Sequence, residues 1–312
     1  MTIQSFEDLL GSVSKTRFLE DIRGKKWLHT KNSTGKANLV GWDDITQLLN
    51  MEVWNHQNLL LVQDTVPVSP KAYCQQTADR TGSQQLVPVF ELVGQHLGRG
   101  ASLVLNDVES LLPKIRLITD AITSELNSKV SANIYVSQKN HQAFGSHYDK
   151  TDVYVLQTLG SKRWRIYEGQ IESPVLHPMF RGESKEQLTK LKGKVEQEFV
   201  MNAGDLLYLP RGRFHDALAT EGPSIHISIA VSEPKGLDYV NLIMNEVVAE
   251  PLFRDPIPAN QVDMEAHFDR LADRLKVVAS SSRVKSKGAR LHQHFGKTRP
   301  KLQVGRRAKN GN

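Results

Sequence analysis

Three residues of the chain have the types and the spacing of a metal site, namely His147, Asp149 and His215. His147 and Asp149 are separated by one residue, and side chains two apart on a β-strand point to the same side, so one ion can reach both. Two histidines and one carboxylate form a facial triad that leaves positions on iron open for a co-substrate and dioxygen. We take His215 as the third ligand, and the sequence therefore predicts a non-haem iron centre.

A second His-x-Asp motif, His267-Phe268-Asp269, has the same spacing. It lies in a segment with helical periodicity, where residues two apart do not face each other, and we interpret it as surface residues. The spacing alone is unspecific, because a chain with eleven histidines shows it by chance roughly once in two such sequences. The hypothesis therefore depends on the strand context of His147 and Asp149.

The single cysteine, Cys74, excludes an internal disulfide and a thiolate cluster for zinc. Any metal must then be held by His and carboxylates. The first residues mix acids, bases and apolar side chains and do not resemble a signal peptide, and no segment is apolar enough to span a bilayer. We expect a cytoplasmic protein that makes no membrane contact.

The segments around the candidate ligands are predicted to be β-strands. Between residues 131 and 231, short runs rich in Val, Ile, Tyr and Leu are separated by Gly or Pro. The predicted strands are Ala132–Val136, Asp152–Thr158, Arg163–Tyr167, Asp205–Leu209 and Ile225–Val231. Short, regularly spaced strands are typical of a barrel or a double-sheet jelly roll. The charged segment Ser184–Glu198 is interpreted as a solvated insertion on it.

Helical patterns flank the predicted strands. Leu111 to Ile122 has apolar residues at helical spacing, and so does the region after Pro234. We therefore predict a mainly β fold with helices (α+β). Its predicted parts are a catalytic domain at 1–235 with an N-terminal helical and strand extension, a helical module at 236–282, and a basic tail at 283–312.

The run SANIYVSQKNHQAFGSHYDKTDVYVLQTLGSKRWRIY, with GDLLYLPRGRFHDA and PSIHISIAV downstream, resembles the JmjC-domain ribosomal oxygenases. These form a branch of the cupin superfamily that hydroxylates protein side chains. The resemblance covers about residues 90–235 and implies a double-stranded β-helix. It also implies Fe(II) at His147, Asp149 and His215, and 2-oxoglutarate contacts at Asn133, Lys162 and Ser224. Leu237 to Val278 resembles the dimerising helices of that family, so a homodimer is expected.

The chemistry of the strand after Gly160 agrees with this resemblance. A dicarboxylate that chelates iron through its 2-oxo acid end needs a cation for its other carboxylate, and Lys is a compact point charge suited to that task. Lys162, Trp164 and Ile166 alternate onto one face of the predicted strand. We therefore expect Lys162 to point into the barrel, with Trp164 as part of its wall.

The expected function is hydroxylation of a side chain in a protein substrate, which the resemblance extends to a ribosomal protein. One alternative is a small-molecule hydroxylase, because the same fold serves many substrates. Another is a non-catalytic cupin that binds a partner through its basic tail. The triad together with an inward Lys162 favours an enzyme, since a scaffold has no use for a cation opposite a metal site.

The charge of the chain is unevenly distributed. Of its 40 Lys and Arg, ten lie between residues 283 and 312, where there is no Asp or Glu, so the rest carries 30 bases against 34 acids. The body is thus mildly acidic. We expect residues 283–312 to form a disordered tail that contacts nucleic acid or a ribonucleoprotein.

Overall fold

The computed structural model describes residues 3–291, apart from 36–38, 79–80, 140, 142, 178–179, 181–183 and 221. These residues form two compact units. The first comprises the described residues up to Glu125 together with Val130–Ser232, and the second comprises Leu126–Lys129 and the described residues from Glu233 onward. The boundary after Ser232 lies close to the predicted domain limit at residue 235.

Antiparallel strands dominate the first unit. In chain order the strands are β1 (Leu28–Thr30), β2 (Leu59–Gln63), β3 (Val66–Pro67), β4 (Cys74–Ala78), β5 (Gln84–Pro88), β6 (Ser102–Leu105), β7 (Lys129–Ser137), β8 (Asp152–Leu159), β9 (Ser161–Gln170), β10 (Val195–Asn202), β11 (Leu206–Leu209), β12 (Arg213–Ala219) and β13 (Ser224–Ser232). A large sheet has the order β1-β11-β8-β13-β7-β6-β2-β3, a small sheet has the order β10-β9-β12, and β4 with β5 forms a separate hairpin.

The large and small sheets pack face to face over an apolar core. Period-two alternation directs Val153 and Val155 of β8 and Trp164 and Ile166 of β9 into the same interior, where Met201 of β10 joins them. Burying an aliphatic side chain of this size contributes roughly 1.5 to 3 kcal/mol. Two packed sheets with flanking helices confirm the predicted fold class, a mainly β jelly roll.

Short helices cover the outer side of the large sheet. Before the second unit the helices are α1 (Phe6–Leu10), α2 (Lys15–Arg17), α3 (Trp42–Leu49), α4 (Phe90–Gly98), α5 (Pro113–Leu126) and α6 (Lys185–Lys192), and a π-helical segment, Phe18–Ile22, follows α2. Phe18 packs against Tyr154 of β8 and Tyr208 of β11, with ring centroids 5.9 and 4.9 Å apart. The N-terminal extension therefore seals the sheet face that points away from the interior.

Only part of Ser184–Glu198, the segment interpreted as an insertion, lies outside the strands of the barrel. Its first half is α6, but its second half begins β10, which pairs antiparallel with β9. β10 is a largely exposed edge strand, and its first four residues, Val195–Glu198, are mostly polar. The charged composition of this part therefore hides the strand in the sequence.

In the part of the second unit that the structure describes, the α-helices are α7 (Gly236–Val247), α8 (Gln261–Ser280) and α9 (Ser282–Ala289). Ile243 and Val247 of α7, Val278 of α8 and Val284 of α9 make its apolar core. No helix of the described residues combines the length and the apolar character that a bilayer crossing requires.

Helix α9 corrects part of the prediction for the basic segment. Residues 282–289 are helical rather than a disordered tail, because Val284 is buried in the core and Ser281 caps the helix. Arg283 and Lys287 both form ion pairs with Glu246 of α7, so this one carboxylate offsets one of the two positive charges. The remainder of the predicted tail, residues 292–312, lies outside the described residues.

His267 also differs from the prediction. It lies on α8 as expected, but it is 4% exposed and its Nδ1 is 3.3 Å from Arg270 Nη2, so it is a buried residue and not a surface one. Phe268, in contrast, is 45% exposed. Helical periodicity predicts which residues share a face, whereas the packing of α8 against α7 and α9 decides which face is covered.

Candidate metal centre and co-substrate pocket

The backbone places the two candidate histidine ligands directly opposite each other. His147 N–H donates to the His215 carbonyl at 3.0 Å, and His215 N–H donates to the His147 carbonyl at 2.8 Å. Gly212 N–H donates to the carbonyl of Asp149 at 2.8 Å. One ligand atom from each of His147, Asp149 and His215 lies within 4.8 Å of the others. The structure thus brings the three predicted residues together.

Hydrogen bonds define which imidazole nitrogens are free. His147 Nδ1 is 2.8 Å from the Gly145 carbonyl, and His215 Nδ1 is 3.0 Å from the Arg213 carbonyl. Because a carbonyl only accepts, each Nδ1 carries the proton and each Nε2 keeps its lone pair for a metal. Burial and the nearby His147 lower the pKa of His215, which favours the neutral form that can act as a ligand.

The donor set fits Fe(II). Asp149 Oδ2 lies 3.6 Å from His215 Nε2, too far for a good hydrogen bond, so both atoms remain available to an ion between them. Two neutral imidazoles with one carboxylate suit divalent iron, whereas Mg²⁺ and Ca²⁺ prefer oxygen donors alone. The arrangement can hold a metal and leave part of its coordination sphere to other ligands.

A cavity opens beside the triad. It contains about 720 Å³ of space not filled by protein atoms, including the part open to solvent. Besides the triad, its walls include Asn133, Tyr135, Lys162, Trp164 and His226. All five lie on strands, namely β7, β9 and β13, so strands form much of the cavity wall.

Lys162 lines this cavity although it is only 3% exposed. Its Nζ donates to Ser137 Oγ at 3.0 Å, and in the described part of the chain no carboxylate forms an ion pair with it. Burial without a counter-charge lowers the pKa of Lys162 to about 7. The cavity therefore contains a desolvated amine that an anionic ligand would stabilise in its charged form.

The other two predicted co-substrate residues differ in position. Asn133 lines the cavity, and its Oδ1 accepts a hydrogen bond from Asp107 N–H at 3.1 Å. Ser224 is fully buried outside the cavity lining, and its hydroxyl accepts from Gln157 Nε2 at 2.8 Å. Ser228, four residues along β13 on the same face, does line the cavity. The structure thus brings Asn133 and Lys162, but not Ser224, to the pocket.

Aromatic side chains complete the wall between the triad and Lys162. The Trp164 ring lies 5.9 Å from the His215 ring and 6.0 Å from the His226 ring, and His226 stacks on Tyr135 at 4.8 Å. Burial raises the pKa of Tyr135 to about 12, so its hydroxyl remains a donor. Burial and the proximity of Lys162 lower the pKa of His226, which keeps that ring neutral.

The sequence predicts Trp164 as part of the wall, whereas for Tyr135 and His226 it favours a core position over a place in the pocket lining. Period-two alternation is the signal that identifies them, because Tyr135 follows Asn133 by two residues and His226 precedes Ser228 by two. Once one cavity residue on β7 and one on β13 are known, their neighbours at i±2 become candidates for the same wall.

Comparison with known proteins finds a JmjC domain and partial relatives. A JmjC domain model matches residues 107–239. The bifunctional lysine-specific demethylase and histidyl-hydroxylase NO66 of Drosophila persimilis is 30% identical over 246 residues, which cover 77% of this chain and 33% of that protein. NO66 of Drosophila simulans is 35% identical over 146 residues, or 46% of this chain and 16% of that protein. The chain thus spans a third or less of the length of these relatives.

Solved structures show the same fold. The X-ray structure of E. coli ycfD has a TM-score of 0.63 at 18% sequence identity, covering 90% of this chain and 72% of that chain. A structure of the E. coli ribosomal oxygenase YcfD in complex with cobalt and 2-oxoglutarate has a TM-score of 0.59 at 18% identity, covering 88% and 68%. The first unit is thus a jelly roll of the kind found in these proteins.

Proposed function

We propose that this chain, in which residues 107–239 match a JmjC domain model, is an Fe(II)- and 2-oxoglutarate-dependent oxygenase that hydroxylates a side chain of a protein substrate. One observation carries this proposal: two imidazoles and a carboxylate converge at a cavity that also contains the buried Lys162, which has no carboxylate partner among the described residues. A non-catalytic module has no need of both groups. The names of the similar proteins, a histidyl-hydroxylase and a ribosomal oxygenase with cobalt and 2-oxoglutarate, support the same reading.

Each part of the site has a distinct task in the proposed reaction. His147, Asp149 and His215 hold Fe(II), which with dioxygen and 2-oxoglutarate supplies the oxidant for a C–H bond as 2-oxoglutarate is converted to succinate and carbon dioxide. The Lys162 ammonium binds the carboxylate of 2-oxoglutarate that is remote from the metal. Trp164 and the stacked rings of Tyr135 and His226 exclude water between the two ends.

Within this proposal Ser228 supplies the hydroxyl of β13 that contacts the co-substrate. Ser228 lines the cavity, whereas the Ser224 hydroxyl is engaged by Gln157. Asn133 adds an amide at the cavity wall. Ser228 and Asn133 orient the ligand, and Lys162 provides the charge that retains it.

We expect the purified protein to form succinate from 2-oxoglutarate only when Fe(II) and dioxygen are supplied. Ribosomal proteins should increase succinate formation, and one of them should gain the mass of one oxygen atom in the same reaction, which mass spectrometry of the digested proteins can locate. Succinate formation that does not depend on Fe(II) would contradict the proposed chemistry. Oxygen gained only by a metabolite would instead favour the small-molecule alternative.

We also propose that the second unit forms a homodimer through α7. Leu237, Val240, Met244 and Val248 recur every three or four residues, so they form one stripe, and each is between 47% and 60% exposed. Soluble proteins rarely leave such contiguous apolar surface uncovered, and a second copy of the same helix offers a complementary stripe.

The double substitution Val240→Glu with Met244→Glu is expected to convert the dimer to a monomer at micromolar concentration. Removing each apolar contact costs roughly 1.5 to 3 kcal/mol, or about tenfold or more in the dissociation constant. Sedimentation velocity measures the mass. Val66→Glu, an equally exposed valine on the edge strand β3, should leave the dimer intact. A wild-type protein that sediments as a monomer at the same concentration would refute the proposal.

A further inference from the structure

Two buried serines lie behind Lys162 at the wall of the cavity. In the part of the chain that the structure describes, Lys162 Nζ forms one hydrogen bond, to Ser137 Oγ of β7 at 3.0 Å. The Ser102 hydroxyl of β6 donates to the same oxygen at 3.2 Å. Both serines are 0% exposed. We call Ser102 and Ser137 the serine pair.

The strand register brings the serine pair to the lysine. Alternation along β7 places Ser137 on the same face as Tyr135, which lines the cavity. The antiparallel pairing of Leu103 with Val136 sets Ser102 of β6 opposite Ser137. Ser137 itself lies outside the cavity lining, whereas the lysine that it contacts is part of that lining. The pair is therefore connected to the cavity through the lysine.

The serine pair could satisfy its own polar groups without a lysine. A buried hydroxyl needs a hydrogen-bond partner, and two serines on facing strands can provide one for each other. Ser137 Oγ has two lone pairs, however, and accepts from Lys162 as well as from Ser102. Its acceptor capacity is thus filled. The hydroxyl holds Nζ in place and has no lone pair left for a ligand.

An ammonium that is already held in position binds a carboxylate more tightly than a mobile one. A lysine side chain loses much rotamer freedom when it is immobilised. Because Ser137 contacts Nζ before any ligand enters, part of this entropic cost arises on folding and not on binding. The ammonium has three N–H donors, so two remain for a ligand.

We propose that Ser137 is a positioning residue for co-substrate binding: its hydroxyl orients the Lys162 ammonium toward the remote carboxylate of 2-oxoglutarate, and Ser102 holds that hydroxyl. This inference rests on the proposed function, which assigns the binding of that carboxylate to Lys162. It gives the serine pair a task in ligand binding, although neither serine lines the cavity.

Ser137→Ala removes the hydroxyl and changes little else. We expect calorimetric titration of the Co(II)-loaded protein with 2-oxoglutarate at pH 7 to give a dissociation constant roughly two- to tenfold above that of the wild type, as when one long side chain must be immobilised on binding. Co(II) affinity should stay unchanged. In the Lys162→Met background the same substitution should have no further effect, because Ser137 acts only through the ammonium.

The pH profile separates this role from a merely structural one. A hydrogen bond that accepts from an ammonium favours its charged form, so the Ser137 hydroxyl raises the pKa of Lys162 relative to a protein without it. The affinity of Ser137→Ala should therefore begin to fall at a lower pH than that of the wild type. His226 and Tyr135, which line the same cavity, stay neutral near pH 7, because burial lowers the pKa of His226 and raises that of Tyr135 to about 12.

Ser161→Ala is the matched control. Ser161 is a buried serine directly before Lys162 on β9, but its hydroxyl lies 3.4 Å from that of Thr220. Its replacement should leave the dissociation constant and the pH profile unchanged.

The inference is overturned if Ser137→Ala binds 2-oxoglutarate like the wild type, even if its unfolding temperature falls. It is also overturned if Ser137→Ala weakens Lys162→Met as strongly as it weakens the wild type, or if the pH at which affinity falls does not move. A Co(II)-loaded wild-type protein that binds no 2-oxoglutarate would overturn the proposed function. Weaker binding by Lys162→Met with no effect of Ser137→Ala would overturn this inference alone.

Discussion

His215→Ala is expected to abolish the Fe(II)-dependent conversion of 2-oxoglutarate to succinate, with a loss of more than about 100-fold. Substitution of groups that merely orient metal ligands typically costs 10- to 100-fold in affinity or activity, so removal of a ligand itself should cost more. His215 is also buried beside Trp164, so a side chain at the surface cannot take the place of its Nε2 as a metal ligand. Asp149→Ala and His147→Ala should have the same effect, because two remaining ligands do not fix the positions at which the co-substrate and dioxygen bind the metal.

The measurement is succinate formed per enzyme under saturating Fe(II), accompanied by direct Fe(II) binding under anaerobic conditions. His267→Gln is the control, since His267 has the same His-x-Asp context but lies on α8 in the other unit. It should retain activity even if its unfolding temperature changes. Near-normal turnover by His215→Ala would remove that residue from the site and with it the proposed triad.

The strands that hold the site were predictable where they are buried. β7, β8, β9, β11 and β13 have apolar runs that the sequence shows directly, and each was predicted to within a few residues of its observed bounds. β12 was not predicted although it carries His215, because its sequence RFHDALA places polar groups on both faces, with His215 inside and Asp216 outside. Functional side chains thus obscured the alternation that defines a strand.

Tertiary packing explains the remaining differences. Ser224 and Ser228 share one face of β13, so alternation alone cannot tell which hydroxyl reaches the cavity. Gly160 comes within contact distance of the Pro223 carbonyl, which places Ser224 at the closed hairpin end of the barrel rather than beside the triad. Likewise, the basic composition of residues 283–290 resembles a solvated tail, but one buried Val284 is sufficient to anchor α9.

Replacement of Lys162 by Met is expected to weaken 2-oxoglutarate binding by about thirtyfold to a few thousandfold while Co(II) affinity stays unchanged. Met has a similar length and fills the same space, so the substitution removes the charge and little volume. Truncating one partner of a buried charge pair costs roughly 2 to 5 kcal/mol, and about 1.4 kcal/mol corresponds to a factor of ten. Calorimetric titration of the Co(II)-loaded protein with 2-oxoglutarate measures the change.

The pH dependence of the same titration tests the charge itself. Burial holds the pKa of the free Lys162 at about 7, and a bound carboxylate raises it. Below pH 7 the amine is already protonated, so wild-type affinity should be nearly constant. Above pH 7 binding must take up a proton, so affinity should fall by up to about tenfold per pH unit until the pKa of the complex is reached. Lys162→Met should lose this dependence.

Lys194→Met is the matched control for the substitution, because Lys194 is an exposed lysine just before β10 and lies outside the cavity lining. It should bind 2-oxoglutarate like the wild type at every pH. An unchanged dissociation constant in Lys162→Met would mean that another group anchors the remote carboxylate. If Lys162→Met binds 2-oxoglutarate more weakly but its affinity still falls above pH 7, the titrating cation remains in the variant. Lys162 would then shape the pocket without supplying the charge.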